Sequence, residues 1–142
     1  MCGIAGLLLN SADKDLSSIP EMTNQLIHRG PDSGDVWTDQ TAGIALGHRR
    51  LAILDLSLAG GQPMKSHCGR YVIVFNGEIY NHPTLRCNLA RVGAAPHWRG
   101  TSDTETLLAG IVHWGLKATL EKTMGMFALA LWDRTTRQLM LA

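Results

Sequence analysis

Cysteine is scarce in this chain, and its three copies lie far apart. Cys2, Cys68 and Cys87 form no Cys-x-x-Cys pair, which excludes a disulfide framework and points to a reducing cytoplasm. Charge of one sign is also lacking: 13 Lys and Arg against 12 Asp and Glu leave a net charge of +1. Without a basic block or an acidic tail, neither a nucleic acid nor a membrane surface is expected as a partner. No apolar run comes near the roughly 18 residues of a membrane span, and the front of the chain lacks a signal peptide's charge and cleavage pattern. The six histidines show no metal-ligand spacing, and His67-Cys68 stands alone, so no metal site is expected. Neither a phosphate loop nor a Gly-x-Gly-x-x-Gly fingerprint occurs. Cys68 and Cys87 sit outside any nucleophile-elbow context. Repeats, low-complexity tracts and linkers are absent too. What remains is a chain of 142 residues, 45% apolar and 18% charged, long enough for one globular domain with its own core.

The stretch Met1-Cys2-Gly3-Ile4 is the first positive signal. Removal of Met1 would leave Cys2 with a free α-amine beside its thiol. An amine of pKa about 7.7–8.0 can take the proton of a thiol near 8.5, and the N-terminal amine is a known activator of side-chain nucleophiles. Taken alone, a cysteine at position two reads as a small buried apolar residue.

Residues 2–9 read as a buried first strand, followed by a polar turn over 10–15. Ser18 and Glu21 have capping-box spacing, with Pro20 in the first turn, for a helix running to His28. Residues 36–38 and 43–48 form a plausible hairpin. Tyr71–Phe75 is the clearest strand, ending at the turn signal Asn76-Gly77. Asn81 is placed to cap a helix with Leu85, Leu89 and Val92 on one side. Ser102 and Glu105 form a second capping box opening a helix that ends near Gly115, and a third helical segment covers 116–123. Residues 126–132 and 139–141 read as two strands joined by a polar hairpin. Hairpin-spaced strands with separate helical pairs predict an α+β layered domain. The chain stops inside the apolar run 138–142, which reads as a piece of a longer protein; the exposed edge left there would favour self-association, and a homo-oligomer stays open.

Four arrangements could carry chemistry. Cys2 is one. In His28-Arg29-Gly30-Pro31-Asp32, Arg29 and Asp32 are expected to pair and pin the loop. In His48-Arg49-Arg50, an arginine offers a planar fork for a carboxylate, although a solvated pair is the commoner outcome of that spacing. In Asn76-Gly77-Glu78, a side-chain amide and a neighbouring backbone N–H could hold an oxyanion, against the plain alternative of a hairpin turn. Asp103, at a helix N-terminus, is stabilised there by the macrodipole in any case.

Together the segments MCGI (1–4), HRGPDSG (28–34), GHRRLAILDLS (47–57), GGQPM (60–64), VFNGEIYNH (74–82) and SDTETLL (102–108) occur in the order of one family. The chain resembles the N-terminal glutaminase domain, a class II glutamine amidotransferase, of the glutamine-hydrolysing asparagine synthetases. Relatives that make glucosamine phosphate or phosphoribosylamine typically have Arg-Trp where this chain has Arg50-Leu51.

The resemblance implies the N-terminal-nucleophile hydrolase fold, a four-layer αββα sandwich with antiparallel sheets, incomplete at its C-terminal end over residues 1–142. It implies Cys2 as nucleophile with its own α-amine as base, and Asn76 and Gly77 as oxyanion donors. Arg50 would take the α-carboxylate of L-glutamine, while Glu78 and Asp103 take its α-ammonium group. The ammonia released through a thioester would go to a synthetase domain absent from this chain, where ATP and magnesium are expected; this chain itself would need no cofactor. Alternatives are a non-catalytic domain of the same fold, an amidase for another amide, and an amidotransferase of surface-polysaccharide or secondary metabolism.

Overall fold

In the computed structural model, which describes residues 2–10 and 15–142, two antiparallel sheets lie face to face. The first contains β1 (Gly3–Leu8), β2 (Ser33–Asp39) and β3 (Ile44–Arg50) in the order β1-β3-β2. The second contains β4 (Met64–Lys65), β5 (Tyr71–Ile79), β6 (Gly125–Asp133) and β7 (Gln138–Leu141) in chain order. Among the described residues there are also four α-helices, α1 (Ile19–Asn24), α2 (His82–Arg91), α3 (Asp103–Trp114) and α4 (Leu116–Leu120), and a short 3-10 helix, Leu58–Gly60.

The two-residue period of a strand assigns the layers. From β3, Ile44 and Leu46 face the second sheet and meet Val72 and Val74 of β5 and Ala130 and Trp132 of β6. Ala45, one residue out of phase, faces α1 and packs on Leu16 and Ile19. The odd positions of β5 and β6 (Ile73, Phe75, Ile79, Leu129, Leu131) turn the other way, onto Leu85 of α2 and Leu107, Leu108 and Ile111 of α3. Helix, sheet, sheet, helix is the four-layer α+β arrangement expected. Each large side chain fully buried between these layers is worth about 1.5–3 kcal/mol, so the period-two pattern fixes the register of both sheets.

Several local expectations give way to tertiary context. β1 is an edge strand and only half-buried, with Leu8 exposed. Ser18 adopts helical backbone angles and accepts no capping bond; α1 ends at Asn24, and residues 25–29 are turns. Of the turn expected at 10–15, residues 11–14 lie outside those described. Asn81 does not cap α2: its Nδ2 donates to the Lys122 carbonyl and its Oδ1 accepts from the Met124 N–H, tying the start of α2 to the approach of β6. Val92 falls past the end of α2 and is exposed. At α3 half of the capping box forms. Ser102 Oγ accepts from the Glu105 N–H at 3.2 Å, but the Glu105 carboxylate takes the N–H groups of Arg99 and Gly100. α4 stops at Leu120 instead of 123.

The largest departure is at Asn76-Gly77. β5 does not turn there; it stays paired with β6 in one register down to Ile79 opposite Gly125. A nine-residue partner strand outweighs the local turn preference of two residues. Gly77 has a different use. A methyl group at this position would overlap the Met126 carbonyl oxygen and Phe127 Cβ across the ladder, so the close approach of β6 admits only glycine.

Candidate active site

Four separate pieces of chain deliver Cys2, Arg50, Asn76, Gly77, Glu78 and Asp103 to the lining of one cleft at the end of the sandwich. The cleft encloses about 210 Å³. Strand parity explains the convergence. Cys2 is in phase with Ile4, Arg50 with Leu46 and His48, and Asn76 and Glu78 with Val74, so all project into the space between the sheets. Arg49, out of phase, points away from the cleft and donates through Nε to the Gly30 carbonyl at 3.0 Å. Nothing in the local sequence separates Arg49 from Arg50; the face of the strand does.

Cys2 is held at both ends. Arg29 Nε donates to its carbonyl oxygen at 3.1 Å, and the Leu51 N–H donates to its Sγ at 3.4 Å. The expected Arg29–Asp32 pair does not form. Asp32 Oδ2 accepts the Ala52 N–H at 2.8 Å, and its own N–H goes to the Arg50 carbonyl at 3.1 Å. Both residues still brace the loop, but through backbone groups.

The Arg50 guanidinium is seated by the segment that follows it. Nη1 donates to the Ser57 carbonyl at 2.9 Å and Nη2 to the Asp55 carbonyl. The backbone at Gly60 runs so close that any side chain there would overlap Nη2. Two bonds leave three of the five N–H donors of an arginine for a ligand. Asp55 in turn accepts from the Ser57 N–H and hydroxyl and from the Thr101 N–H at 2.8 Å, which ties this segment to the start of α3. Those hydrogen bonds, the Ser57 hydroxyl first, hold the Asp55 carboxyl below the ordinary carboxylate range.

Along β5 the backbone groups of Tyr71, Phe75 and Ile79 face away from β6, because odd positions in this register direct their N–H and C=O groups off the ladder. At the strand start Ser66, just past β4, takes both groups of Tyr71: its Oγ accepts the N–H at 3.0 Å and its own N–H donates to the carbonyl at 2.9 Å. Beyond it, side chains take the N–H groups: the Phe75 N–H donates to Gln62 Oε1 at 2.6 Å, and the Ile79 N–H to Asp103 Oδ2 at 2.9 Å. By the same alternation the Gly77 N–H projects off this edge, between those two, towards the cleft. Asn76 precedes it, with its side chain on the cleft side.

Asp103 is 5% exposed, and its Oδ1 accepts the Thr104 N–H at 2.8 Å. A carboxylate has about four lone-pair sites, so two backbone bonds leave room for a cationic ligand. Glu78 is exposed on the rim. His82 stands near both acids; burial lowers its pKa, and the charges of Asp103 and Glu78 partly offset that. Behind the cleft floor, His48 is fully buried, and desolvation lowers its pKa to about 4.

Gln62 and His48 escaped the sequence reading as site residues, although both lie inside motifs that carried the resemblance. Among the described residues no group of three or more His, Cys, Asp or Glu could hold a metal ion, and no helix is long and apolar enough to cross a membrane.

A family model described as a glutamine amidotransferase domain matches residues 1–142. The chain belongs to the glutamine amidotransferase domain family. It is 40% identical over 139 residues to asparagine synthetase (glutamine-hydrolysing) 1 of Bacillus subtilis strain 168, covering 94% of this chain and 21% of that protein. To the amidase chry2 of Gibberella zeae it is 35% identical over 153 residues, covering 100% of this chain and 22% of the relative. Another relative, the amidase chyE of Penicillium rubens, is 36% identical over 157 residues with the same shares. The chain thus spans about a fifth of the length of the curated relatives it matches.

Proposed function

We propose that this glutamine amidotransferase domain hydrolyses L-glutamine to glutamate and ammonia, with Cys2 as nucleophile. The observation that supports it is the convergence of a thiol, a cationic fork, two carboxylates and a free backbone N–H on one cleft. Glutamine is a zwitterion with a terminal amide, and each of its polar groups has a counterpart here. Arg50 takes the α-carboxylate with a planar fork. Asp103, with Glu78 on the rim, takes the α-ammonium. A substrate lacking either charge leaves these groups unpaired, which is how such a site discriminates.

With Met1 removed, the Cys2 α-amine takes the Sγ proton, and the thiolate attacks the side-chain amide carbon. The Asn76 amide and the Gly77 N–H donate to the oxyanion, and the tetrahedral adduct collapses to a γ-glutamyl thioester. The protonated amine gives its proton to the departing nitrogen, which leaves as ammonia. Water, deprotonated by the same amine, then cleaves the thioester to glutamate and restores the thiol. The lengths and names of the relatives support an ammonia acceptor in a further part of the protein. There ATP and magnesium would activate a carboxylic acid, aspartate in the asparagine synthetase reading.

The test is incubation of the processed protein with glutamine beside its Cys2→Ala variant. Equimolar glutamate and ammonia from the first and neither from the second is the expected result; no release from the processed protein contradicts the reading.

A further inference from the structure

We infer that Gln62 and His48 form a two-sided clamp on Phe75 that holds Asn76 and Gly77 in position for the oxyanion. This rests on the assignment of Asn76 and Gly77 proposed above. Phe75 has both backbone polar groups bound by side chains from other elements. Its N–H donates to Gln62 Oε1 at 2.6 Å, and its C=O accepts from His48 Nε2 at 3.1 Å. In the interior of an antiparallel sheet a neighbouring strand would make both bonds. Here β4 has already ended, at Met64 opposite Ile73, and the strand edge would otherwise meet the cleft with its peptides free. The two side chains replace the missing strand for one residue, and the next two are the oxyanion donors.

The placement of the two side chains favours a positioning role over plain stability. His48 comes from β3, in the opposite sheet, and its Nδ1 is buried with no hydrogen-bond partner. A carbonyl acceptor requires Nε2 to carry the proton, which leaves Nδ1 an orphaned acceptor. An apolar residue would fill that position between the sheets without the orphan, so the Nε2 bond is what recommends histidine. Gln62 reaches in the other direction as well. Its Nε2 donates to Thr104 Oγ1 at 3.3 Å, next to Asp103, whose Oδ2 holds the Ile79 N–H. One chain of hydrogen bonds thus runs from β3 through Phe75 and Gln62 to the start of α3. It sets the spacing between the oxyanion donors and the acid assigned to the α-ammonium. An oxyanion site acts through donors fixed before the charge develops, and its power drops when they are free to move.

His48→Leu and Gln62→Leu in the full chain test this, read by ¹⁵N relaxation at Asn76 and Gly77 and by glutaminase kinetics. The order parameters of both residues should drop from about 0.85 towards 0.6 or below. The kcat should fall about tenfold or more while KM for glutamine changes less than about threefold, the signature of an interaction made in the transition state. Because both variants act through one residue, the double variant should lose much less than the product of the two single losses. His48→Gln, which keeps an N–H donor, should recover most of the rate. If His48→Leu fails to fold, Gln62→Leu and His48→Gln carry the comparison. Unchanged order parameters at Asn76 and Gly77 overturn the clamp whatever the kinetics. Lowered order with unchanged kcat overturns its role in positioning. Lowered order in a protein whose unaltered form releases no glutamate upholds the clamp and removes the glutaminase reading instead.

Discussion

The first half of β5, Tyr71–Val74, has a partner strand on each side, with Met64 and Lys65 of β4 opposite Ile73 and Val72, and β6 along the other edge. The second half, Phe75–Ile79, keeps β6 and has lost β4. In the first half every side chain is buried and apolar, and the end is tied off by Arg70, whose Nε and Nη2 bond both oxygens of Asp133. In the second half, side chains from Gln62, His48 and Asp103 stand in for the absent strand, and the Gly77 N–H projects into the cleft. The difference shows how one strand serves two purposes. A completed ladder gives stability and leaves nothing over, whereas an interrupted one frees backbone donors at fixed positions. A site built there inherits the rigidity of the paired half without using up its hydrogen bonds.

Breaking the open half should have the largest effect on turnover. Asn76→Ala is expected to lower kcat by about 10²–10³ with little change in KM, as for other single oxyanion donors; steady-state kinetics on glutamine would show it, and a change confined to KM would place Asn76 in substrate binding instead. Gly77→Ala adds a methyl against the backbone of β6, and should cost about 1–3 kcal/mol of stability as well, measured by denaturant unfolding.

Next in size is the comparison of the two arginines. Arg50→Lys should raise KM by about ten- to a hundredfold, a hydrogen bond to a charged group being worth about 1.5–3 kcal/mol. Arg49→Lys, on the opposite face of β3, should leave KM within about twofold. Equal KM values for the two variants would contradict the assignment of Arg50.

The smallest effect on catalysis should come from the closed half. Arg70→Ala removes the fork from Asp133, whose pKa the Arg70 hydrogen bonds lower to about 2. It should reduce Tm and leave kcat and KM unchanged. Because the folded pKa lies below the ordinary 3.8, the pair stabilises fully above that value and loses its contribution as pH falls towards 2. The gap in Tm between variant and unaltered protein should therefore close over that interval.

Much of this was legible in the sequence, unevenly. The strands of both sheets apart from the two-residue β4, α3 with its Ser102 cap and the four-layer arrangement follow from periodicity and turn chemistry together with the resemblance. The six candidate residues were named by motif; strand parity brings Cys2, Arg50, Asn76 and Glu78 to one cleft, Gly77 adds a backbone N–H from the open strand edge, and the start of α3 brings Asp103. What local pattern could not give was long-range. Asn76-Gly77 reads as a turn unless the β6 partner is known. The cap residues Ser18 and Asn81 are diverted by backbone angles and by Met124, and the partners of Arg29 and Asp32 lie on other segments. Gln62 and His48 carry no local signal either, since their importance lies in which backbone atoms they reach across the sandwich.

The most direct test of the nucleophile assignment compares two forms of the same chain, one beginning at Cys2 and one with a short peptide fused ahead of it. Both should fold alike, since β1 begins at Gly3, past the altered end. The account predicts glutamate release from the first and none from the second, because an amide nitrogen cannot take the thiol proton. Equal release from both would contradict it.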